Sequence, residues 1–495
     1  MLSLTIFLPL FSGLVLLVLP GLRPSLVRRL ALAGALATLV LAVLLWSGFD
    51  PATKSLQWRE TLPWIPSIGA SYDVALDGIS LALLMLTAVL LVAVMVYVLP
   101  EHGERTRLHA FLFLLLGTGL MGVFASRDLL LFYLFFEIGL VPMYFIIGIW
   151  GGERRSYAAM KFFLYTRAGS LAMLLGFLAL YLSMTPHTFS LPAIIAARPL
   201  ASSPGAAAAV FFALLFGFGV KLPAFPLHNW LPDAHVEAPT EGSVVLAGLQ
   251  LKMGGYGMLA ILLPTMPGTV ARFAWLVIPL ALVSLLYGSL AALGQRDLKR
   301  LVAYTSVNHM AFVLLALPVA GLGIVGGNPD LAHLAVNGAA VQMVSHGLLT
   351  GAMFLMIGML QHRAGTRDID RFGDLLGRLP GYAGLFAVLS FGSLGLPGLS
   401  GFIAEFQVIG ATLLISMWIG AIAVLGLVIT TGLYLHMLGR LLLGKPPEAM
   451  PDLPPMSMHE SWSAGTLAAL SVLIGVLPGT IMPMIAAASS ALAGS

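Results

Sequence analysis

Residues 129–150 read LLLFYLFFEIGLVPMYFIIGIW. One charged residue, Glu137, interrupts a run that otherwise suits hydrocarbon. At about 1.5 Å per residue such a run spans the roughly 30 Å apolar core of a bilayer, and Glu137 falls about 12 Å from one end. A single charge at that depth costs about 2.5–3.5 kcal/mol, so the carboxylate needs a partner or water. The stretch is a membrane-spanning helix with a chemical feature inside it.

The rest of the chain agrees. Of its 495 residues 59% are hydrophobic and 9% charged, with a mean hydropathy of +0.98, against roughly 25% charged in a soluble domain. About fourteen apolar runs of spanning length can be laid down, the seventh over 207–226, the eighth over 240–263, the twelfth over 382–415 and the last over 463–487. The runs are long and continuously apolar, unlike the short alternating segments of a transmembrane barrel, and predict an all-α polytopic membrane protein. The first run lacks a basic leading segment and reads as a retained span. Loops carrying Arg23/Arg28/Arg29, Arg154/Arg155, Arg296/Lys299/Arg300 and Arg363/Arg367 follow odd-numbered spans. The positive-inside rule puts these loops in the cytoplasm and both termini on the outer face. The net charge of +4 is then a record of topology, with no nucleic-acid signal, and the absence of Cys excludes thiolate-held clusters and disulfides from this chain.

Residues 184–206 and 445–460 read as linkers, and 51–76, with Trp58, Trp64 and several prolines, as an ordered loop at the membrane interface. Two runs are interrupted by proline beside a charged residue: FGFGVKLPAFPLHNW, with Lys221, Pro223 and Pro226, and SFGSLGLPGLSGFIAEF, with Pro397 and Glu405. Proline removes a helical hydrogen bond, and paired broken segments point to inverted repeats around a midplane ion site. The organisation expected is an N-terminal three-helix segment (1–107), two inverted five-helix repeats (108–263 and 264–443) and a linker with a last helix (444–495).

Glu137, Lys221, Lys252 and Glu405 all fall at membrane depth. A static ion pair explains any one of them; four together, beside two helix breaks, point to a transport path. Desolvation favours the neutral form of a buried Glu or Lys and a nearby opposite charge favours the ionised form, so opening and closing a Glu–Lys contact drives proton release and uptake. His228, His309 and His346 extend the path, since imidazole passes a proton near neutral pH. Thr305, Ser306, Asn308 and Ser345 are candidates to line a hydrated file between them. His235 reads as structural, Arg127 and Asp128 as a weak pair at the span edge. The GLGIVG stretch at 321–326 has no strand–helix context for a dinucleotide site. No metal-ligand spacing, phosphate loop or nucleophile–base arrangement is present.

The stretches FFEIGLVPMYFIIGIWGG, KLPAFPLHNWLPDAHVEAPTEGSVVLAGLQLKMGGYG, DLKRLVAYTSVNHMAFVL and PGLSGFIAEF together resemble the antiporter-like membrane subunits of respiratory NADH:quinone oxidoreductase, complex I. The likeness covers roughly residues 70–450. It implies a fold of about fourteen helices with the seventh and twelfth broken, and a proton-translocating role coupled to quinone reduction elsewhere in a larger complex. Within that family it implies that Glu137 pairs with Lys221, that Lys252 is the central lysine and that His228, His309 and His346 connect them. Glu405 stands where the L- and N-type chains and many Mrp subunits carry lysine, which points to the M-type chains. Phe136 stands where the family often has tryptophan. The implied partners are other membrane-arm subunits, especially L- and N-type chains, in a bacterial inner membrane. The flavin and iron–sulfur clusters are implied for partner subunits, with no cofactor or metal in this chain. An Mrp-type cation/proton antiporter subunit and a hydrogenase- or ferredoxin-linked relative are the alternatives.

Overall fold

The computed structural model describes residues 1–53, 55–100, 103–445 and 453–493. Residues 446–452 of the linker read at 445–460 fall outside them. Among the described residues eleven helices are long and apolar enough to cross a membrane, with shorter apolar helices at Leu2–Val18, Ser400–Ile415 and Met482–Leu492. The chain is an all-α polytopic membrane protein.

Helix starts follow local chemistry. The Glu137 helix (Leu129–Trp150) begins at Asp128, whose carboxylate accepts from the amides of Leu130 and Leu131 at 2.9 and 3.1 Å. Asp77, Asp297 and Asn328 cap the helices Gly78–Tyr97, Leu298–Val325 and Pro329–Ala364 in the same way. Each side-chain oxygen satisfies an amide that lacks an intrahelical partner.

Burial grades the helices from centre to rim. The best spanning windows of Thr240–Thr265 and of the His346 helix, Pro329–Ala364, are 100% buried, whereas those of Pro24–Ser47 and Met417–Leu442 are 33% buried. The His346 helix packs against the His309 helix (Leu298–Val325), the Glu405 helix (Ser400–Ile415), Met458–Val476 and Thr240–Val245. Polar residues on this central helix are therefore shielded from lipid on every side.

Both expected breaks are present. The seventh run ends as Pro204–Lys221 and resumes as Trp230–Glu237. Across the gap the buried Trp230 indole donates to the Val220 carbonyl at 3.0 Å, and the Phe225 amide is met by Ser284 Oγ at 3.0 Å, so backbone groups freed by the prolines are paired. The twelfth divides into Pro380–Ser393 and Ser400–Ile415. Gly395 and Gly398 take φ of +81° and +92° in that gap, a region glycine enters without steric cost. A Cβ on Gly395 would also come within 2.9 Å of Glu405 Oε2.

Four expectations need correction. Residues 51–76 hold a hairpin of β1 (Gln57–Ile65) and β2 (Ala70–Leu76), antiparallel with Glu60 opposite Val74 and Thr61 opposite Asp73, and turned at Gly69 with φ +63°. Residues 184–206 include a short helix, Leu191–Ala197. The last run is two helices, Met458–Val476 and Met482–Ala493, parted at Pro478 and Gly479. Arg127 and Asp128 are buried (4% and 0% exposed) and form a hub. Arg127 donates to Tyr256 Oη, Asp77 and Ser80 at 2.9, 3.0 and 2.7 Å, while Asp128 also accepts from the Ser71 amide of β2 at 3.0 Å. The hairpin is thereby bonded to three helices.

Candidate functional site

The described residues gather most of the expected site residues into two buried polar clusters. The first gathers Glu137, Lys221 and Gln250. Lys221 is the last residue before the helix break and is 1% exposed. Its ammonium donates to Gln250 Oε1 at 3.2 Å and lies 5.2 and 5.7 Å from the ring centres of Phe162 and Phe136. Gln250 Nε2 in turn donates to the Gly139 carbonyl at 2.5 Å, tying the cluster to the Glu137 helix. Phe136 thus does more than pack, because its face is turned to the cation.

The direct Glu137–Lys221 contact implied by the resemblance is not formed. Glu137 Oε2 is bound by Arg167 of the helix Arg155–Leu182, and its Oε1 has no hydrogen-bond partner. Lys221 still feels the Glu137 charge at longer range. Guanidinium reaches a carboxylate across a helix pair and stays charged at any physiological pH, so it outcompetes an ammonium for the same oxygen.

The second cluster is a file of buried polar groups. Lys252 is fully buried and donates to the Ala247 carbonyl at 2.6 Å, with His346 Nδ1 also at 2.6 Å. The His346 and His309 ring centres are 5.8 Å apart, and His309 Nδ1 meets Glu405 Oε1 at 3.1 Å. With Lys252 as donor, His346 Nδ1 is the acceptor and its Nε2 carries the proton. Gln342 Nε2 donates to the His309 carbonyl at 3.2 Å and reaches Glu405 Oε1 at 3.5 Å. His309 Nε2, His346 Nε2 and Glu405 Oε2 have no protein partner. His309, His346, Ser345, Gln342 and Glu405 line a cavity of about 10 Å³, room for about one water.

Backbone irregularity positions both clusters. The segment Thr240–Thr265 winds as a π-turn at Leu246–Gln250 and another at Met258–Leu262, flanking Lys252. A π-turn inserts a residue and frees a carbonyl, and the Ala247 carbonyl that Lys252 uses lies in the first of them.

Other expected residues sit elsewhere. His228 is buried with neither ring nitrogen partnered, packed among Phe225, Tyr287 and Tyr304, with no contact to the file. Asn308 joins its helix to those of Ser289 and Thr430, while Ser306 bonds only to the Val302 carbonyl of its own helix, and neither lines the path. Ser345 does face the cavity and bonds Ser400 Oγ at 2.7 Å. Arg167, Gln250 and Gln342 were not singled out from sequence. Arg167 had a signal, a cation near the middle of an apolar helix; the glutamines had none beyond lying near a lysine and a histidine.

The model of the family "NADH:quinone oxidoreductase/Mrp antiporter, TM" matches residues 126–430. NADH-quinone oxidoreductase subunit M of Rhodobacter capsulatus is 39% identical, covering 98% of this chain and 94% of that one. F(420)H(2) dehydrogenase subunit M of Methanosarcina mazei is 38% identical over 91% of this chain and 90% of its own. A chain of respiratory complex I from Thermus thermophilus superimposes with a TM-score of 0.85 at 30% identity, each chain covered completely. This multi-pass chain belongs to the NADH:quinone oxidoreductase/Mrp antiporter membrane family, among its subunit M members.

Proposed function

We propose that this chain is the M-type proton-translocating subunit of an NADH:quinone oxidoreductase, and that Lys252, His346, His309 and Glu405 form its central proton path. The observation supporting this reading is the buried line of groups from the Lys252 ammonium to the Glu405 carboxylate, hydrogen-bonded at each end and joined at its middle by the His346–His309 ring contact beside the small cavity. Burial deprives each group of bulk water, so the protonation state of one depends on its neighbour. A proton leaving Lys252 enters at His346 Nδ1; the His346 Nε2 proton moves to His309 through the cavity, and His309 delivers to Glu405. Lys221, held by Gln250 and under the field of Glu137, sets the potential at the near end of this file. Electrons travel in partner subunits, which carry the flavin and iron–sulfur clusters; this chain supplies no redox group. The partners are other membrane-arm subunits, L- and N-type chains among them, in a bacterial inner membrane with both termini on the outer face. The two inverted units are 108–263 and 264–443, a reading supported by the matched positions of the two breaks.

The assembled complex in proteoliposomes tests the path. Lys252→Met, which keeps length and volume while removing the proton, is expected to lower protons moved per electron at least about tenfold. Unchanged pumping in a fully assembled variant sinks the reading. The likeness to an F(420)H(2) dehydrogenase subunit favours one second reading, in which the same path serves a different electron donor. Co-purification with an NADH-oxidising arm distinguishes the two.

A further inference from the structure

Outside the path just described lies a second titratable cluster. A cavity of about 390 Å³ opens on the face that bears the basic loops, large enough for many waters, since one needs about 10–15 Å³ in this measure. Two of the residues lining it, His109 and Glu241, are paired: His109 Nε2 lies 2.8 Å from Glu241 Oε1, with side chains 13% and 5% exposed. His109 is braced by the rings of Phe113 and Trp150 at 4.8 and 5.0 Å. Glu241 is fixed where the helix Thr240–Thr265 begins, and the close approach there needs Gly358, because a Cβ would come within 2.2 Å of Thr240.

The surroundings give the pair a direction. Lys299, also lining the cavity, is buried, donates to the Ala238 carbonyl at 2.8 Å and acts on Glu241 electrostatically. Deeper in, His235 is fully buried, stacked on Phe354 at 4.5 Å and 8°, with neither ring nitrogen partnered. Both Lys299 and Lys252 act on it. Among the described residues, the other charged and titratable groups around the cavity are Arg28, Glu104, Glu237, His362 and Arg367, with Tyr97. Titratable groups therefore continue inward from the cavity, through the buried Lys299 to the fully buried His235.

We propose that the Glu241–His109 pair is the proton-loading site of this chain on the basic-loop face. It takes one proton from cavity water, converting neutral imidazole and carboxylate to imidazolium and carboxylate, and returns that proton inward toward His235 and Lys252. The pair suits the task because both members titrate, they share one hydrogen bond, and one side meets water while the other meets buried groups. The inference rests on the reading of the chain as a proton-translocating subunit.

The assembled complex in phosphatidylcholine vesicles, with pumping normalised to electron transfer across a pH series, tests it. Glu241→Gln cannot hold the imidazolium. It is expected to pump about fivefold less near pH 8, where protons are scarce, and within about twofold of the parent near pH 6. His109→Asn should reproduce that profile and Glu241→Asp should largely restore the parent curve, neither of which a purely structural role predicts. A parent-like profile in Glu241→Gln, with Lys252→Met inactive, overturns the loading site alone. A parent-like profile together with full pumping in Lys252→Met overturns the functional reading as well.

Discussion

Glu137 and Glu405 are each a lone carboxylate in an apolar helix, yet their partners are of opposite kinds. Glu137 is held by Arg167, whose side chain is 41% exposed, at the rim of the bundle. Glu405 is 2% exposed and held by His309 and Gln342 beside a small polar cavity. An arginine keeps its proton, so its carboxylate partner acts as a fixed negative charge. A histidine exchanges protons near neutral pH, so its carboxylate partner can receive and pass one. On the proposed path, identical side chains thus take opposite parts: Glu137 a static charge, Glu405 a proton carrier.

The sharpest way to break this comparison is to neutralise each carboxylate in turn. Glu405→Gln removes the acceptor at the end of the file and is expected to cut pumping per electron at least about tenfold, while Glu137→Gln, which removes only a field, cuts it about threefold. Proteoliposome assays on assembled complexes decide. Equal losses would mean that Glu137 also carries protons.

How far this contrast could be read in advance depends on the kind of signal. Continuous apolar runs and interior prolines report on a solvent and a hydrogen bond, and both act locally; the membrane class and the breaks at 222–229 and 394–399 were legible for that reason. That Lys221, Lys252 and Glu405 lie within apolar runs, and so end up buried, followed from counting residues along the chain. Partner choice did not, because it depends on which helices become neighbours. Glu137 could meet Lys221 or Arg167 equally well on sequence grounds, and only the packing of Leu129–Trp150 against Arg155–Leu182 selects the arginine. The two π-turns around Lys252 carry no sequence mark at all, since they arise from tertiary fit. The hairpin at 57–76 was hidden by its prolines and by a polar character suited to a loop.

A second prediction sharpens the static half. Arg167→Gln strips Glu137 of its counter-ion. Breaking a fully buried pair costs about 3–5 kcal/mol, but water screens a side chain as exposed as Arg167, and about 1–2 kcal/mol is expected here. The thermal midpoint of the assembled complex should fall accordingly, and the double variant Arg167→Gln with Glu137→Gln should recover most of the loss, because no unpaired charge remains. Additive losses in the double variant would show that the two groups do not interact.

The smallest effect separates the glutamines. Gln250 joins Lys221 to the Gly139 carbonyl, and Gln342 joins Glu405 to the His309 carbonyl, so each is the neutral bridge of its own cluster. Replacing either by Met removes bridging hydrogen bonds at similar volume and costs about 1 kcal/mol of stability. Their effects on pumping should differ. Gln342→Met loosens a donor that holds Glu405 against His309 and should lower pumping about threefold, shifting its pH dependence because the acceptor itself is altered. Gln250→Met frees the Lys221 ammonium toward Glu137, which already has a permanent counter-ion, and should change pumping less than about twofold with the pH profile unmoved. A shifted profile in Gln250→Met would place Lys221 among the groups that exchange protons and would erase the distinction between the two halves.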